Sequence, residues 1–215
     1  MNKQKTPISG SEPTCTKRPY GTPKGTISAN CYAYAIQHAA LKPNYKLQPG
    51  NLSDQKNINF NLSTCHPAKQ RVIDDIVKKK RGYETPMDTP CSKGFAKIAL
   101  LLSKNNDFHF IRQNGDILYV VEKGDTIESL AKKFKVQKEN IKGKNPLKIG
   151  HSVRITNANV WSHKRGTAFP PTLYDARGNV IFDPRKSNFN YGSLNYNKIC
   201  SCFCVKQKPC RRKKK

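Results

Sequence analysis

The chain has 215 residues, with 40 Lys or Arg against 14 Asp or Glu, for a formal net charge of +26. That length holds one ordinary domain or two small ones. No run approaches the ~18–20 uncharged apolar residues of a membrane span, and nine Phe, nine Tyr and one Trp are too many aromatics for a wholly disordered chain.

Residues 1–27 are rich in Pro, Thr and Lys and read as a basic extended arm. Asn30 is a good N-cap for an Ala-rich apolar helix, Cys31 to Leu41, stopped before Pro43. Gln48-Pro49-Gly50 is a turn, and 51–66 is an Asn- and Ser-rich loop. Val72, Ile73, Ile76 and Val77 recur at helical spacing in a second helix, Lys69 to Lys80. Residues 82–93 read as loop. Phe95 to Leu102 is a mostly buried strand, joined by a turn at Lys104-Asn105-Asn106 to a second strand, Asp107 to Gln113. Residues 119–155 form a separate unit. Strand character resumes at Val160 to His163. Leu173–Asp175 and Asn179–Phe182 flank a hairpin turn, and Tyr196 to Val205 is the last strand. Two helices followed by four or five short strands predict an α+β domain with the helices on one side of an antiparallel sheet.

The charge is uneven. From Lys206 to Lys215 there are seven positive residues and no acid, which predicts a dedicated polyanion contact; the remainder is spread over a Lys-rich chain. The N-terminus is basic but lacks the apolar stretch of a secretory signal, so cytosolic synthesis is expected. That expectation also argues against a disulfide framework, although eight cysteines are present. Cys200, Cys202 and Cys204 share one face of a strand and are poorly placed to bridge one another. Cys65-His66 is the only adjacent Cys/His pair and there is no C-x-x-C turn, so no metal or other cofactor is expected. Most cysteines read as small buried hydrophobes.

The unit at 119–155 carries the most specific pattern. A strand enters Gly124-Asp125-Thr126, and Ile127, Leu130, Ala131 and Phe134 lie on one face of the helix that follows. Val136 and Ile141 belong to a second helix, then come Asn145, Gly150 and a Val153-x-Ile155 strand. This resembles the lysin motif (LysM) over its whole length. The resemblance implies a βααβ module binding N-acetylglucosamine polymers, peptidoglycan or chitin. It puts the sugars between two loops, here Gly124, Asp125, Thr126 and Ile127, and Asn145, Pro146, Leu147 and Ile149.

The flanking residues, 28–118 and 156–205, hold a second constellation. Cys31 stands at a helix start, where the dipole favours a thiolate. His109 shares a strand face with Asp107 and Ile111, and His163 on a later strand is the candidate for the group that orients it. This order resembles papain-like cell-wall peptidases of the NlpC and CHAP types. It implies a cysteine hydrolase with Cys31, His109 and His163 as catalytic residues, in a papain-like domain interrupted by the LysM module. The flanks also resemble a set of proteins that share Asn-Cys-Tyr-Ala-Tyr-Ala (Asn30 to Ala35), an Asp-x-His strand (Asp107 to Gln113) and Trp-Ser-His-Lys (Trp161 to Lys164). In that set the last two segments are nearly adjacent. The alternative expectation is non-catalytic: a structural, minor capsid or surface-attachment protein of a large DNA virus particle, with other virion proteins as partners.

Overall fold

The computed structural model describes residues 5–16, 19–38, 43–55 and 61–207. Two short helices open it. Thr22 caps α1 (Pro23–Ile27), its Oγ1 accepting from the Gly25 N–H at 3.1 Å. Asn30 caps α2 (Cys31–Ala35), its Oδ1 accepting from the Ala33 N–H at 3.1 Å. The cap is where the sequence predicts it, but α2 is shorter than Cys31 to Leu41. His38 N–H donates to Ala33 O and Gln37 N–H to Tyr34 O, with Gln37 at φ 53°, so a left-handed C-terminal cap closes the helix early. Residues 39–42 lie outside the described residues. α3 (His66–Ile73) has Pro67 in its first turn and continues as one π turn, Asp74–Lys78.

The strands are β1 (Gly82–Thr85), β2 (Phe95–Ser103), β3 (Asp107–Asn114) and β4 (Ile117–Val120), followed by α4 (Ile127–Phe134). Then come β5 (Ile141–Lys142), β6 (Ser152–Ile155), β7 (Val160–Lys164), β8 (Pro171–Thr172) and β9 (Lys198–Lys206). Six of them form an antiparallel sheet in the order β1-β9-β2-β3-β7-β8. One face packs against α2 and α3, where Tyr32, Ala35, Val72 and Ile76 meet Ile98, Leu100, Phe110 and Phe203. On the other face Ala99, Leu101, Ile111 and Trp161 are covered by Ile181, Phe189 and Tyr196. Burial on both faces explains why Ile98 to Leu102 of β2 reads as an unbroken apolar run rather than an alternating one. The architecture is α+β, as the order of elements predicts.

The chain leaves this sheet after β3 and returns at β7. Asn114 pairs with Val160, and the Asn159 N–H donates to Gly115 O at 3.0 Å, so the two ends of the intervening segment lie together. Between them is a small sheet in the order β4-β6-β5, covered by α4. Its core of Ile117, Tyr119, Leu130, Phe134, Val153 and Ile155 runs on without a break into Cys15, Val160, Leu173 and Phe182.

Several expectations change. Gly82–Thr85 is an edge strand on β9, not loop. The second helix of the βααβ expectation is a single 3-10 turn, Lys138–Asn140, leading into β5. In the basic arm, Pro23–Ile27 is helical, and residues 5–16 are pinned along the molecule. Thr6 accepts from Trp161 Nε1 at 2.8 Å and Gln113 Nε2 at 2.9 Å, and the Cys15 N–H donates to Asp116 O at 2.7 Å. The cysteines are not mostly reduced. Cys65 bonds Cys200 and Cys91 bonds Cys204, while Cys15, Cys31 and Cys202 are free and buried. Cys200 and Cys204 do not bridge one another; each reaches to a different element. Cys210 and the rest of the basic tail beyond Gln207 lie outside the described residues. No helix among the described residues is long and apolar enough to cross a membrane.

Candidate functional site

The two loops implicated in glycan binding leave the same end of the small sheet. The Val121 N–H donates to His151 O at 2.9 Å and the Gly150 N–H to Val121 O at 2.8 Å, which ties them side by side. Gly124 turns the first loop at φ 87°, a conformation costly for any residue with a Cβ. Asp125 Oδ2 accepts the Glu122 N–H at 2.7 Å, and Thr126 forms a reciprocal capping box with Ser129 at the start of α4. Asp125 and Thr126 therefore already hold the turn and the helix start. Leu147 and Ile127 are half-buried against the core beneath. Asn145 and Pro146 are exposed, and Ile149 is 65 % exposed, an unusual state for so large an apolar side chain. The surface left for a ligand is thus apolar and amide in character, between Gly124 and Ile149.

The Cys/His constellation sits elsewhere. Cys31 at the first turn of α2 and His109 on β3 line one cavity of about 610 Å³, together with Asp107, Arg165, Tyr191 and Tyr196. His163 on β7 lies beneath: His109 Nε2 and His163 Nδ1 are 2.9 Å apart, and His163 Nε2 is 3.0 Å from Tyr174 O. A carbonyl oxygen only accepts, so His163 Nε2 carries its proton and His163 Nδ1 is the bare acceptor. His109 Nε2 must then donate, and neutral His109 keeps its lone pair on Nδ1. Burial drives both imidazoles below the ordinary histidine value, His109 well below it and His163 to about 4, so both are neutral near pH 7. Tyr196 stacks 5.0 Å from His109 and donates to Asp107 Oδ2 at 2.7 Å. Arg165 lies over Phe169 at 4.3 Å and Tyr191 at 5.0 Å.

The expected thiolate is not what this environment favours. Cys31 is 7 % exposed, and burial pushes its thiol up to about 12 despite the helix start. α2 is only five residues long, too short for its dipole to offset that burial. Cys31 and His109 share the cavity without a hydrogen bond between sulfur and imidazole among the described residues, whereas the two histidines meet directly. Sequence spacing could not reveal the Tyr174 carbonyl that fixes the tautomers. Asp107 was visible as a face-mate of His109, but its Tyr196 partner was not. Among the described residues no group of three or more His, Cys, Asp or Glu is arranged to hold a metal ion.

Comparison with known proteins adds one match. The family model described as LysM domain matches residues 119–156. Comparisons with curated proteins and with solved structures find no match. LysM domains bind aminosugar polymers such as peptidoglycan or chitin, and the matched segment contains both loops described above. A LysM domain is detected at residues 119–156 of this chain.

Proposed function

We propose that this protein holds an N-acetylglucosamine polymer on its LysM loops and hydrolyses an amide bond of that material at the Cys31 cavity, in a papain-like domain. The binding half is supported by the LysM match and by an exposed Ile149, next to the Gly150 that is tied to Val121 at the start of the first loop. The observation that carries the hydrolytic half is the His109–His163 contact, which leaves His109 Nδ1 as the free base in the cavity that Cys31 lines.

In this reading the Cys31 proton passes to His109 Nδ1 as sulfur attacks the carbonyl carbon. His163 accepts the His109 Nε2–H bond and steadies the imidazolium that forms. The C–N bond then breaks, His109 returns the proton to the leaving amine, and water hydrolyses the thioester to restore the thiol. Because the resting thiol is protonated, transfer accompanies attack rather than preceding it. Cys31→Ala is the test: release of soluble fragments from peptidoglycan should cease while retention on the polymer is unchanged. Undiminished release from that variant overturns the hydrolytic reading.

The raised thiol pKa favours a second reading, a non-catalytic binding protein or particle component in which Cys31 is a packed small hydrophobe. Under that reading the wild-type protein is retained on the polymer and releases nothing.

A further inference from the structure

A second cleft, of about 380 Å³, lies where the end of α4 meets the segment 174–187. Three ammonium groups line it, Lys133, Lys135 and Lys186, with the rings of Tyr174 and Phe182. Lys135 Nζ stands 4.5 Å over Phe182 and Lys133 Nζ 5.5 Å over Tyr174, contacts that orient a cation. The two carboxylates in the cleft are turned inward. Asp175 accepts the backbone N–H groups of Arg177, Asn179 and Asn188 at 2.9, 2.9 and 3.0 Å, and Asp183 is forked by Arg185 at 2.9 to 3.2 Å. Among the described residues, neither Lys135 nor Lys186 is in a salt bridge. Crowding of cations here is felt next door. Lys5 lies 5.3 Å over Phe182, and burial, then the Lys135 charge, lowers its pKa to about 8.

We propose that this cleft binds a carboxylate borne by the aminosugar polymer, so that the protein favours an acidic polymer such as peptidoglycan over neutral chitin. The inference rests on the glycan-binding reading and deepens it. α4 has eight residues, so the cleft lies ~12 Å along the helix from the Thr126 loop. A polymer of a few sugars is long enough to cover that distance.

The test is calorimetric titration of the full chain at low ionic strength with soluble peptidoglycan fragments, the same fragments with carboxyls amidated, and chitin oligomers. Wild type should bind native fragments about fivefold more tightly than amidated ones, the size expected of two solvent-screened lysine contacts. The pair Lys135→Gln and Lys186→Gln should lose that margin and keep its affinity for chitin oligomers. The pair Lys104→Gln and Lys198→Gln removes the same charge elsewhere and should keep the margin. A margin missing from wild type, intact in the cleft pair, or lost equally in the control pair overturns the proposal and leaves glycan binding standing. Failure of wild type to bind any of the three ligands overturns both.

Discussion

His163 shows how much of this site is decided by single groups. It is fully buried, its Nε2–H held by Tyr174 O and its Nδ1 facing His109. Its pKa is about 4 in the folded protein, against 6.5 for an ordinary histidine. The unfolded chain therefore binds the extra proton first as pH falls. Stability is complete above pH 6.5 and is lost as pH drops toward 4, by about 3 kcal/mol for this one group. Urea titrations across that window should show the loss, and His163→Asn should reduce it, leaving the part that buried His109 contributes with the same sign. An Asn Oδ1 still accepts from His109 Nε2, so this variant should keep hydrolysis whereas His163→Leu should not. The same logic fixes the pH profile. In the proposed hydrolysis His109 is the base, a role open to it only when neutral, and burial keeps it neutral well below 6.5. Hydrolysis should hold level from mildly alkaline pH through 6.5 and fall only further into acid, in contrast to a base with an ordinary histidine pKa.

At the scale of elements, what could be read from sequence was what local chemistry dictates. The Asn30 cap, the Gly124-Asp125-Thr126 entry to α4 and the apolar run Ile98 to Leu102 of β2 are local signals, and all three stand where they were expected. Elements that depend on distant partners were hidden. β1 is four residues at a sheet edge, with Tyr83 half-buried and Glu84 exposed, and it exists because β9 offers a ladder. Its Gly82 lies against that neighbour: a Cβ there would run into the Cys204 carbonyl oxygen. Gly82→Ala should lift β1 from β9 and cost about 1–3 kcal/mol in chemical denaturation, with no effect on glycan retention. The Cys/His site was half visible for the same reason. Residue order put Cys31, His109 and His163 in view, but burial of the thiol and the orienting carbonyl of Tyr174 come from packing.

For the whole molecule, two cross-links join parts far apart in the chain. Cys65–Cys200 spans 135 residues and Cys91–Cys204 spans 113, and both fasten β9, the one to the start of α3 and the other to the turn before β2. Such separations carry no local signal, so pairing was not readable from spacing. Loops of that length make each bond worth about 2–5 kcal/mol against the unfolded chain. A thiol reductant should lower the melting temperature markedly, and Cys65→Ser with Cys200→Ser should reproduce part of that drop. The net charge of +26 is a property of the same scale. A charge of that size favours polyanions at low salt, whereas in the proposed reading recognition of an aminosugar polymer rests on a few side chains of the LysM loops. The most direct test is titration of the full chain with a soluble N-acetylglucosamine oligomer, comparing wild type with Ile149→Asp. Ile149 is 65 % exposed, so the substitution should leave the melting temperature unchanged. Saturable binding by wild type, weakened about tenfold or more in the variant, is the predicted result. No binding by wild type, or equal affinity in the two proteins, would contradict it.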